Sequence, residues 1–88
     1  MTKRNIVGPQ IRRFRLDDGL DQADLAARCG VLGWQVTRGT VAKIESQVRR
    51  VTDAELYVIA EALRRPTDKF FTASRRELTA QLRQADAK

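Results

Sequence analysis

Apolar residues recur along this chain at helical spacing, and no segment alternates as a strand would. Ile11, Phe14 and Asp18 share a face over 9–18, with Arg12 and Arg13 turned away. Gly8-Pro9 marks the start of that helix, since proline suits a first turn, and Gly19 marks its end. A second helix over 22–29 opens on Asp21 as N-cap, turns Leu25, Ala26 and Cys29 inward, and closes at Gly30. A third, over 38–46, opens on Thr37 and points Val41 and Ile44 at the core. Thr52-Asp53-Ala54-Glu55 spells a capping box, after which Leu56, Ile59, Ala60 and Leu63 line one side of a fourth helix. Pro66-Thr67 breaks it and opens a short fifth helix carrying Phe70 and Phe71. The pattern predicts an all-α, five-helix orthogonal bundle over 8–71, a basic flexible arm over 1–7, and a C-terminal helix or tail over 72–88.

Charge sharpens this picture through its distribution. The chain carries 17 Lys and Arg against 11 Asp and Glu, a net +6, which favours a polyanionic partner or simply solubility. Residues 1–15 hold five positive charges and no acid, residues 16–35 sum to −3, and residues 36–50 sum to +3. If the first and third blocks converge in space, they form one basic surface.

The third helix is unusual on its outer side. Opposite Val41 and Ile44 lie Gly39, Ala42, Lys43 and Ser46, flanked by Arg38. A merely solvated face usually carries long charged side chains; small residues instead let a helix press against another surface. Arg38 has the two-pronged head that grips guanine O6 and N7, and Lys43 can reach a base edge or a phosphate. With the second helix and the turn between them, this makes a helix-turn-helix arrangement with a lengthened turn.

The order of residues through IRRFR, GLDQADLAARCGV, TRGTVAKIES, VTDAELYVIAEAL and DKFF resembles the Xre-type, phage Cro/repressor-like helix-turn-helix family over residues 8–71. The resemblance implies five helices and a symmetric dimer on operator DNA, with the third helix in the major groove. It places base reading on Arg38, Gly39 and Lys43. It places phosphate contacts on Gln22 at the start of the second helix and on Arg49 and Arg50 after the third. Thr37 and Thr40 are further phosphate candidates, and Arg12, Arg13 and Ser46 could flank the duplex. Arg15 and Glu45 fall where internal pairing supports the motif. Two departures stand out. Gly39 offers no side chain at the middle reading position, and Leu32-Gly33-Trp34-Gln35-Val36 intervene between Val31 and Thr37. Trp34 and Val36 either pack back on the second and third helices, or Trp34 faces DNA or a partner.

Other chemistry is poorly represented. One cysteine and no histidine leave no internal disulfide and no ordinary zinc set, so no metal or cofactor is expected. No nucleophile lies beside a base, and no phosphate-cradling glycine loop occurs, so an enzyme is not expected. No apolar run approaches the roughly 20 residues of a membrane helix, and a cytoplasmic, nucleoid-associated regulator is the expectation. The expected partners are double-stranded DNA and a second copy of the chain. Leu78, Leu82 and Ala85 align as a dimer stripe or pack on their own bundle, and Leu16 and Tyr57 lie off the core faces. The alternative is a helix-turn-helix protein-interaction module, such as an antitoxin or an adaptor, with an unknown partner.

Overall fold

The computed structural model describes residues 3–86. Among them are five α-helices and no strand: α1 (Gly8–Asp17), α2 (Gln22–Val31), α3 (Arg38–Glu45), α4 (Asp53–Ala62) and α5 (Arg75–Asp86), with a 3-10 turn at Thr67–Phe70 between the last two. The first four helices and the 3-10 turn enclose one core, in which Ile11, Leu25, Cys29, Ile44, Leu63 and Phe70 are fully buried. Burial pushes the Cys29 thiol up to about 11, so the sulfur is a small core group rather than a reactive thiolate. Phe14 meets Phe70 edge-on, with ring centroids 5.1 Å apart. Arg65 lies 4.3 Å above the Phe14 ring and holds Asp18 through bonds of 2.8 and 2.9 Å. Asp18 is therefore an exposed ion-pair partner, not a member of the inward face of α1.

The helix starts follow the sequence signals. Asp21, Thr37 and Thr52 each accept a bond from the amide three residues on, and Glu55 completes the expected box at Thr52. Asp24 completes a second box at Asp21 that the sequence reading missed. The ends share one device. After α1 the chain turns through Gly19 at φ 70°, with the Leu20 amide reaching the Arg15 carbonyl at 3.0 Å. After α3 and α4 the same left-handed position is held by Gln47 (φ 67°) and Arg64 (φ 55°), side-chain-bearing residues for which this conformation costs roughly 1 kcal/mol.

Three expectations need correction. Gly30 does not end α2: the helix runs on to Val31, and the chain reverses at Gly33, whose φ is 101°. The fifth helix is only a 3-10 turn, because Pro66 and the short span to Phe71 allow one anchoring turn; Phe70 is buried and Phe71 is exposed. The N-terminal residues in view are not a loose arm, since Asn5 and Val7 are buried. The Asn5 amide donates to the carbonyls of Ile44 (3.0 Å) and Arg49 (2.8 Å), and its oxygen accepts from Val7 and Gly8. Of the α5 stripe, for which a dimer contact and packing on its own bundle were both open, Leu78 is half-buried and Leu82 is exposed. The side chain of Ala85 lies outside the described residues.

The lengthened turn, residues 32–37, is braced from within. The Trp34 amide donates to the Cys29 carbonyl at 2.9 Å, and Trp34 and Val36 pack half-buried against the core. The first of the two roles considered for Trp34 is thus its position in the fold.

Candidate nucleic-acid interface

α3 is held from behind by three residues and left bare in front. Val41, Ile44 and Glu45 are buried. Glu45 receives both prongs of Arg15 from α1, at 2.7 and 2.9 Å, and the Gln22 amide of α2 at 3.1 Å. Arg15 also donates to the Leu20 carbonyl at 2.8 Å. One buried carboxylate therefore fixes α3 against α1 and α2 together. This is the internal pairing expected of Arg15 and Glu45.

The outer side carries Arg38, Gly39, Lys43 and Ser46, all exposed, with Thr40 and Ala42 half-buried. Among the described residues, no side-chain hydrogen bond or ion pair restrains Arg38 or Lys43. Thr37 caps Thr40 at 3.2 Å and touches its hydroxyl at 3.3 Å. The first two amides of α3 remain available to an anion. Ser46 donates to the Lys43 carbonyl at 3.3 Å, closing the far end. A Cβ at Gly39 would meet nothing nearer than the Thr37 hydroxyl at 3.6 Å, so the fold has room for alanine there.

The two basic blocks do converge. The Arg4 amide donates to the Gln47 carbonyl at 2.7 Å, and the Gln47 side chain returns a bond to the Asn5 carbonyl at 3.0 Å. This lays Arg4 beside the loop that carries Arg50, both exposed, while Lys3 lines a cleft with Arg76 and Glu77 of α5. Arg12 and Arg13 are exposed on α1, which packs against α3. At the other end, the Asp21 and Asp24 carboxylates close over the start of α2, so a phosphate there would meet two negative charges.

Two residues expected to touch phosphate are otherwise engaged. The Gln22 amide points at Glu45. Arg49 grips Glu55 through bonds of 3.0 and 3.1 Å and donates to the Arg50 carbonyl at 2.9 Å. The capping role of Glu55 was legible in sequence, but its ion pair with a residue six positions earlier was not. Arg49 beside it, helped by the Thr52 bonds, holds the Glu55 carboxyl below its ordinary value, as Arg65 does for Asp18. Groups lowered in this way stabilise the fold above their unfolded pKa, about 4.3 for Glu and 3.9 for Asp, and lose that contribution as pH falls through the folded value. Thermal melts should accordingly be flat from neutrality to about pH 5 and fall in stronger acid. The acid loss should shrink in Glu55→Gln; an unchanged profile in that variant would remove the pair from the account.

A buried helical scaffold presenting a second bare, basic helix is the arrangement of a DNA-binding helix-turn-helix domain. A helix-turn-helix family model matches residues 11–70, and the chain belongs to that Xre-type, lambda-repressor-like family. No curated protein and no solved structure matches the chain. No helix among the described residues is long and apolar enough to cross a membrane.

Proposed function

We propose that the protein is a sequence-specific transcriptional regulator that sets α3 in the major groove of double-stranded DNA. The observation that carries the reading is Gly39. Gly39 is the second residue of α3, where glycine is a poorer helix former than alanine by at most about 1 kcal/mol, and nothing within the fold requires it. A groove wall pressed against α3 supplies the missing reason. Arg38 and Lys43 read bases on either side of it, and DNA shape serves the position that Gly39 leaves unread. Thr37, Thr40, Arg50 and the first amides of α3 set the register on phosphates, with Arg4, Arg12, Arg13 and Ser46 along the flanks. Gln22 and Arg49 act from behind, through Glu45 and Glu55. A second copy, bound about the two-fold axis of a symmetric site, would place half-site centres on the order of 34 Å apart. The exposed Leu82 of α5 is an available contact for that pairing, with residues 72–88 as the assembling element.

Gly39→Ala tests the reading because two effects separate. Stability should rise, by at most about 1 kcal/mol at this first-turn position, while affinity for the preferred site falls. Arg38→Ala should lose about 1–3 kcal/mol on that site and blur one base pair, whereas Arg50→Ala should weaken all sequences alike and flatten the salt dependence. Melting curves and binding titrations on selected and random duplexes check all three. A more stable Gly39→Ala with undiminished binding would argue for a different face.

A further inference from the structure

We propose that Gln35, carried by the turn before α3, is a second specificity-determining side chain working beside Arg38. The idea rests on the DNA-binding reading above and extends it into a segment that the helix-turn-helix pattern itself does not contain. Within residues 32–36, Gly33 has no side chain, and Trp34 and Val36 are spent on the core. Gln35 is the one polar side chain the insertion brings to solvent.

Its position is defined on both sides. The Trp34 amide is tied to Cys29 at 2.9 Å, and the Thr37 cap begins the helix two residues later. Gln35 and Arg38 line the same open depression, walled by Ala23, Ala27 and Gly30 of α2, and no acidic residue lines it. The small walls crowd neither long side chain, although Gln35 lies back over Gly30 in the free protein. The Gln35 amide rests on the Gly30 carbonyl at 3.4 Å, a long bond that a base edge can replace. A carboxamide donates and accepts side by side, the match for adenine N6 and N7, as a guanidinium matches guanine. The inserted turn thus lengthens the reading surface at the end where Gly39 leaves it sparse.

Selection of bound duplexes from a random pool tests this, using the intact chain and its Gln35→Ala, Gln35→Glu and Arg38→Ala variants, with helical content followed by circular dichroism. Gln35→Ala should keep its fold and its affinity for random DNA. On the site selected by the wild type it should bind about tenfold more weakly and accept any base at one pair, adjacent to the pair freed by Arg38→Ala. Gln35→Glu, which keeps the side-chain size, should move that position from adenine toward cytosine, and it carries the test if Gln35→Ala unfolds. Wild-type preference and affinity in the Gln35 variants, alongside a lost base in Arg38→Ala, would reduce the turn to a brace. Equal losses on selected and random DNA would also overturn base reading by Gln35. A wild type that enriches no sequence would overturn the inference and the proposed function together.

Discussion

Glu45→Ala is expected to cost about 3–5 kcal/mol, enough to leave much of an 88-residue domain unfolded at ordinary temperature. The carboxylate and its partner Arg15 are both buried, with 7% and 6% of their surfaces exposed. Removing the acid strands a guanidinium that keeps only the Leu20 carbonyl, and frees the Gln22 amide as well. The loss comes from that uncompensated charge more than from the pair's net worth, since a buried ion pair gains little over a packed apolar pair. Arg15→Met/Glu45→Leu should therefore recover part of what either single change loses. Urea titrations of the wild type, Arg15→Met, Glu45→Leu and the double variant check this; strict additivity would show that the pair does not act as a unit.

The second large effect is Gly8→Ala, expected to destabilise by about 3 kcal/mol. Gly8 lies where the start of α1 crosses the end of α3, and a Cβ there would run into the carbonyl oxygens of Ile44 and Glu45. Backbone cannot swing aside as a side chain can, so either α1 or α3 must shift. The Ile44 carbonyl is also an Asn5 acceptor, so the shift would loosen the docked N-terminal segment. Gly30→Ala is the control, because the nearest atoms its Cβ would meet belong to the flexible Gln35 side chain, at 3.5 Å or more. Similar losses in the two variants, by thermal melts, would contradict the close approach assigned to Gly8.

Local signals carried most of the helical layout into the sequence. Asp21, Thr37 and Thr52 act through amides three residues away, and the stripe of Leu25, Ala26 and Cys29 needs only helical periodicity. Local signals mislead where a distant partner decides the outcome. Gly30 looks like a helix end, yet helical geometry tolerates it and Gly33 takes the reversal. Lys3 and Arg4 look like a solvated arm, yet Asn5 finds acceptors 39 and 44 residues away. In the candidate site, the outward placement of Arg38, Gly39 and Lys43 followed from periodicity alone. The capture of Arg49 by Glu55 and of Gln22 by Glu45 did not, because long polar side chains choose partners in space.

What the front of α3 touches decides whether this helix reads DNA. Amide shifts of isotope-labelled protein, followed by NMR as a selected duplex is added, address this residue by residue. The largest changes are expected from Thr37 to Lys43 and at Arg50, with α4 little affected. Changes confined to α4 and α5, with Arg38, Gly39 and Lys43 unmoved at saturation, would contradict it.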